Sequence, residues 1–174
     1  FRGARTGGPS MAAGKGAVGY LIRSVDTDSD RFPHTGSLRY DADAPRIPAL
    51  ALSNPDADQI ERIAAGGERI RIKMNVDSSA VPAAQSGNVI AEIPGRERPD
   101  EIVVIGAHLD SWDLGTGAVD DGAGVGITTA AMELIKEAGL APRRTIRLVL
   151  WGAEEVGLLG ARAYRERHAA SLEQ

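Results

Sequence analysis

The chain has no cysteine, which excludes disulfide scaffolds, thiol nucleophiles and thiolate metal sites. It has only 3 histidines, so any metal centre would have to draw on carboxylates as well as imidazole. No stretch approaches the ~20 apolar residues needed to span a bilayer. Charge of one sign is also scarce: 20 Lys+Arg stand against 24 Asp+Glu, a net charge of −4. No basic surface for nucleic acid or anionic membrane is expected from that balance. An initiating methionine is missing too, since the chain opens on Phe1. Nor does its start show the basic, apolar and small-residue zones of a secretory signal. The chain is therefore expected to be a piece of a longer protein, whose missing N-terminus could have carried an export signal.

What is present suffices for a folded domain. Hydrophobic residues make up 43 % of the chain, against a disordered polymer. Glycine, at 21 of 174 residues, exceeds the usual share of about 7 % and points to tight turns.

Two regions differ in texture. Residues 1–80 are rich in Gly, Ala, Arg and Pro. Residues 17–23 read as a short buried strand, residues 26–43 as a polar loop, and residues 49–52 as a second apolar run. Asn54 followed by Pro55 predicts a helix start with Asn54 as N-cap, and Gly66-Gly67 its end. Ile70, Ile72, Met74 and Val76 alternate with Arg69, Arg71, Lys73 and Asn75, a period of two that predicts a half-buried strand. Gly14-Lys15-Gly16 lacks the spacing of a phosphate loop and reads as a turn. Residues 81–86 have linker composition, and the domain boundary is placed there.

Residues 87–174 predict strands at 88–93 and 101–107, a pair able to form a hairpin. Ile127, Ala130, Ala131, Leu134 and Ile135 mark the buried stripe of a helix over 122–138. Another apolar strand follows at 145–151, and then a helix from 158 to 168. Strand, helix and strand of this length make a βαβ unit, so the 101–107 and 145–151 strands should run parallel. The expected fold class is α/β: a mixed, largely parallel sheet with flanking helices, preceded by a partial α+β domain.

In such sheets, ligands gather beyond the carboxyl ends of the strands. The first strand exits into Gly106-Ala107-His108-Leu109-Asp110-Ser111-Trp112-Asp113. The loop before the helix is Gly117-Ala118-Val119-Asp120-Asp121-Gly122-Ala123-Gly124, and the second strand exits into Gly152-Ala153-Glu154-Glu155-Val156-Gly157. One imidazole and up to six carboxylates thus converge with no Lys or Arg among them. Clustered carboxylates in a poorly solvated edge repel at a cost of several kcal/mol per unpaired charge. A divalent cation relieves this, and imidazole with carboxylate suits zinc. Taken singly, Asp121 also has the plainer reading of a helix N-terminus device, and Trp151 that of a core residue.

These three runs, with Leu150-Trp151 before the last of them, resemble the start of the catalytic domain of the co-catalytic di-zinc exopeptidases, metallopeptidase family 28. The Ser-Trp-Asp after His108 and the Trp before the Glu pair are most similar to its carboxypeptidase Q branch. The resemblance implies two zinc ions per complete catalytic domain. His108 would ligate one of them, Asp120 would bridge both, and Glu155 would ligate the second. Asp110 would hold the His108 ring through its other nitrogen, and the Asp120–Asp121 peptide would be cis. Glu154 would be the general base, taking a proton from a metal-activated water that attacks a terminal peptide bond. A peptide substrate is implied, with a homodimer as an open possibility and secretion or a periplasmic location as the compartment.

The family supplies one further Asp and one further His downstream, and His168 does not stand in that context. This stretch alone is therefore expected to be inactive and to bind zinc weakly. Residues 1–80 resemble part of a protease-associated domain through Gly14-Lys15-Gly16-Ala17-Val18-Gly19-Tyr20-Leu21-Ile22, His34-Thr35-Gly36 and Ile47-Pro48-Ala49. Two other readings share the fold: a single-zinc glutaminyl cyclase and a non-catalytic, receptor-like relative.

Overall fold

The computed structural model describes residues 2–25, 27–34, 36–79 and 81–171. Asp26 of the polar loop, Thr35 of the His34 run, and the chain's last residues, 172–174, lie outside the described residues. The chain divides into two units, Phe1–Val81 and Pro82–Gln174.

In the first unit, two parallel strands, β1 (Tyr20–Arg23) and β2 (Ala49–Leu52), pair in register from Tyr20↔Ala49 to Arg23↔Leu52. Helices α1 (Arg2–Ala13) and α2 (Asn54–Ala65) pack on β1. Glycines and Pro9 hid α1 from the sequence reading, because those residues disfavour helix interiors. Tertiary burial overrides that preference: Pro9 is fully buried, and the buried Ser10 accepts a hydrogen bond from the Asp41 amide at 2.9 Å. The N-cap of α2 is Ser53, not Asn54. The Ser53 hydroxyl accepts from the Asp56 amide, while the buried Asn54 donates its side-chain N–H to the Asp28 carbonyl at 3.1 Å. The strand expected at 70–76 does not form. Its alternation is real, but β1 and β2 pair only with each other and no ladder partner reaches it among the described residues. Ile72 stays 51 % exposed.

The second unit holds a three-stranded sheet of β3 (Val89–Ile93), β4 (Arg98–His108) and β5 (Arg144–Trp151), in the order β3-β5-β4. The 88–93 and 101–107 strands therefore do not form a hairpin. β5 lies between them, antiparallel to β3 (Val89↔Leu150) and parallel to β4 (Val103↔Ile146). The physical reason is burial: β5 is the most buried of the three strands, and the central place covers both its edges. Val149 and Leu148 form the core with Ala107 of β4 and Met132. The parallel β4–β5 pairing is as the βαβ reading required.

Helix α3 (Gly124–Glu137) joins them, after an irregular helical turn at 118–123 that contains the cis Asp120–Asp121 peptide. Its buried face differs from the expected stripe. Ile127 and Leu134 are 70 % and 64 % exposed, whereas Met132 is buried, and Val125, Thr128, Ala131 and Ile135 are half-buried beside it. The helix is apolar around most of its girth, so periodicity offers two stripes. The angle at which the chain enters α3 decides between them. Helix α4 (Leu159–Arg167) closes the unit.

Gly106 of β4 is fixed by a close approach. A Cβ there would meet the Val149 carbonyl oxygen and, at 2.7 Å, Trp151 Nε1. Gly106→Ala should cost about 1–3 kcal/mol through overpacking. The check is a lower urea midpoint at unchanged slope, and an unaltered midpoint would contradict the packing described.

Candidate metal centre

The carboxyl ends of β4 and β5 lie side by side, with His108 in register with Trp151. Beyond these strand ends lies a cavity of about 280 Å³ lined by Gly106, Ala107, His108, Asp121, Trp151, Glu154, Leu158 and Ala161. His108, Glu154 and Glu155 each offer a donor atom within 4.8 Å of the others. His108 Nε2 is 2.9 Å from Asp120 Oδ1 and 3.9 Å from Glu154 Oε2. The turn leading into α3 therefore brings Asp120 to the same nitrogen that faces Glu154. An imidazole nitrogen and two carboxylates within 4.8 Å of one another, with Asp120 against the same nitrogen, fit a divalent cation of the zinc type.

The ring of His108 is only 12 % exposed, and its orientation is set from behind. Nδ1 lies 2.8 Å from the main-chain oxygen of Asp110, which accepts the Nδ1–H and leaves Nε2 as the neutral ring's free donor toward an ion. The sequence reading gave Asp110 the task of holding the ring, and it does so through its carbonyl. Its carboxylate serves another purpose: Oδ1 accepts the Glu154 amide at 2.8 Å and Oδ2 the Glu155 amide at 3.0 Å. Asp110 does not line the cavity, and its carboxylate is spent on those two main-chain amides. No sequence signal links residues 44 and 45 positions apart in this way.

Asp121 takes the helix N-terminus role weighed for it and adds a bond that the sequence reading did not foresee. Its Oδ1 accepts the Gly124 amide at the start of α3, and its Oδ2 accepts the His108 amide at 3.0 Å. One carboxylate thus ties the helix N-terminus to the end of β4. Trp151 packs edge-on to Tyr164, with ring centroids 5.3 Å apart, in keeping with a core role.

The Glu154–Glu155 turn is compact. Ala153 and Leu158 have left-handed backbones, φ 53° and 61°, which cost on the order of 1–3 kcal/mol each for residues other than glycine. Such a turn persists only if its surroundings fix it.

Electrostatics separate the two groups behind the site. Burial pulls the His108 pKa down. It is outweighed by the Asp110 carbonyl and by the Asp120 and Glu154 carboxylates, which leave it above the ordinary 6.5. Burial pushes the Asp110 carboxyl up, but the Glu154 and Glu155 amides outweigh it and hold it below 3.8. A raised histidine pKa stabilises the metal-free fold below the unfolded value, and this stabilisation is lost as pH rises through the folded value. A cation competes with that same proton. Metal-free protein should therefore gain stability as pH falls through the folded value toward 6.5, while its apparent zinc affinity falls over the same range. Denaturant titrations and chelator competition at matched ionic strength test the pair of trends. Zinc affinity flat across that range would remove His108 from the ligand set.

Comparison with known proteins follows the same outline. Residues 88–173 match the model of peptidase family M28. Over 168 residues the chain is 44 % identical to carboxypeptidase Q of Mus musculus, covering 97 % of this chain and 36 % of that protein. The crystal structure of a peptidase M28 precursor from Shewanella amazonensis superposes with a TM-score of 0.91 at 51 % identity, covering 99 % of this chain and 39 % of that one. An aminopeptidase from an Aneurinibacillus strain gives 0.57 at 28 % identity, over 91 % of this chain and 38 % of that one. The chain thus spans little more than a third of the length of these relatives.

Proposed function

Because its second unit belongs to peptidase family M28, we propose that this chain carries part of the active site of a zinc-dependent exopeptidase that hydrolyses terminal peptide bonds. The observation that carries the reading is the meeting of His108, Glu154 and Glu155 within 4.8 Å, with Asp120 against the same imidazole nitrogen. His108, Asp120 and Glu155 would be this chain's contribution to holding the two zinc ions of the complete domain. Bound there, zinc supplies Lewis acidity, polarising a peptide carbonyl and lowering the pKa of water to about 7.

The remaining chemistry belongs to the protein. Glu154 lines the cavity and is the group free to take a proton from the attacking water and return it to the leaving amine. Glu155, its neighbour, is held on the same turn by the same Asp110 carboxylate. Fixing the ligand therefore also fixes the base. Asp121 keeps Asp120 and His108 in register by bonding the His108 amide. In the first unit, the described residues hold no comparable donor cluster. We read that unit as an accessory, protease-associated-like element.

Relatives named as a carboxypeptidase and as an aminopeptidase leave the attacked end of the peptide to experiment. The test is hydrolysis by the full-length protein of dipeptides and longer peptides with free or blocked ends, followed by mass spectrometry. Release of single terminal residues, abolished by a chelator and restored by zinc, is expected. Zinc-replete protein that cleaves no terminal bond, or cleaves as well after chelation, would overturn the reading.

A further inference from the structure

The Glu154–Glu155 turn has a second anchor, which the family reading above leaves unused. Asn88 stands just before β3, 64 residues from Gly152 and 72 from Gly160. Its Oδ1 accepts the Gly152 amide at 3.0 Å, and its Nδ2 donates to the Gly160 carbonyl at 2.9 Å. Gly152 and Gly160 are the two ends of the loop that carries both glutamates. They also bond to each other, Gly160 N–H to Gly152 oxygen at 2.9 Å. One carboxamide therefore bridges the neck of this loop, one end through its acceptor and the other through its donor. Only an amide side chain offers both at this spacing.

The neck has no slack. A Cβ on Gly152 would meet the Gly87 carbonyl at 2.6 Å, and a Cβ on Gly160 would meet Asn88 Oδ1. The left-handed Ala153 and Leu158 lie just inside the neck. Asp110 holds the tip of the loop by the Glu154 and Glu155 amides, while Asn88 holds its base.

We infer that Asn88 is a positioning residue for the reaction: it clamps the loop neck so that Glu154 and Glu155 keep their places before any ion or substrate arrives. This rests on the exopeptidase reading for its catalytic consequence, but not for its mechanics. Asn88 touches neither the cavity nor the donor cluster, and its effect must pass through the loop. Outer-shell partners of this kind change metal affinity or turnover by about 10–100-fold.

Asn88→Asp keeps the volume and the bond to the Gly152 amide, but turns the donor toward the Gly160 carbonyl into an acceptor. Asn88→Ala removes both bonds. Thr145→Ala is the control. Thr145 is also buried, bonds the Gly95 amide and the Pro99 carbonyl, and sits at the other end of β5.

Two readouts separate the layers of the inference. In metal-free chain, hydrogen exchange of the Glu154, Glu155 and Gly160 amides should quicken roughly tenfold or more in both Asn88 variants, and that of the Gly152 amide in Asn88→Ala, with the β4–β5 ladder unmoved. Thr145→Ala should leave those four amides unchanged. In full-length protein loaded with Co²⁺, the d–d absorption bands should shift in the Asn88 variants and not in Thr145→Ala. With zinc, kcat should fall by about 10–100-fold at nearly constant KM.

Exchange that quickens uniformly across the unit, or not at all, overturns the clamp. If Asn88→Ala does not fold, Asn88→Asp gives the same decision. Quickened loop exchange with unaltered cobalt bands and kcat overturns the positioning role and leaves a structural bond. Wild-type protein that hydrolyses no peptide sinks the exopeptidase reading instead, and is recognised by failing before any variant is compared.

Discussion

Glu154→Gln in the zinc-loaded, full-length protein should lower kcat by about 10²–10⁴-fold, with KM and zinc content nearly unchanged. The carboxamide keeps the shape of the side chain and its place on the loop, since Asp110 holds that residue through its main-chain amide. What it loses is the capacity to accept a proton. Glu155 retains its own tie to Asp110 at 3.0 Å, so the donor assigned to zinc stays where it is. Metal analysis beside steady-state kinetics checks both halves. Turnover within a few-fold of wild type would remove Glu154 as the base. Loss of zinc along with turnover would recast it as a ligand.

The second large effect falls on a residue that lies outside the cavity. Asp110→Ala should weaken zinc binding and lower turnover, each by about 10–100-fold. It removes both acceptors from the Glu154 and Glu155 amides. Charge-assisted hydrogen bonds contribute about 1.5–3 kcal/mol each, and the 28 % exposure of the Asp110 side chain places the expected loss of stability at the low end of that range. Asp110→Asn retains one acceptor and should fall between the wild type and alanine. In both variants the main-chain carbonyl of residue 110 still faces His108 Nδ1. The imidazole keeps that bond and loses only the Asp110 Oδ1 neighbour at 3.8 Å from Nδ1, so most of the deficit reads the glutamate turn. Chelator competition and urea denaturation supply the numbers. Equal zinc affinity in wild type and Asp110→Ala would show that the turn is held by other means.

Asn88, Asp110 and Asp121 share a logic. Each uses a side chain from one chain segment to satisfy main-chain amides of another at the sheet's carboxyl edge. The Glu154 and Glu155 main chain is thereby held without use of their own carboxylates. The arrangement concentrates rigidity behind the reactive groups, where it does not compete with ligand binding.

Much of this molecule is local and therefore legible in one dimension. The three acidic runs, the parallel pairing of the two apolar strands, and the helices at 124–137 and 159–167 follow from short-range pattern: composition, turn residues and hydrophobic period. Ser53 was missed as a cap because it and Asn54 are equivalent candidates until the fold draws the Asn54 side chain to the Asp28 carbonyl. Tertiary structure alone decided the place of β5 between its neighbours, the face on which α3 packs, the fate of the 70–76 segment, and the targets of the Asp110 and Asn88 side chains. Each of these depends on which distant surface or backbone group is within reach. Periodicity shows that a face is apolar and a residue type shows what it can bond. Neither carries the distance between residues 44 to 72 positions apart, which exists only once the chain has closed around its core.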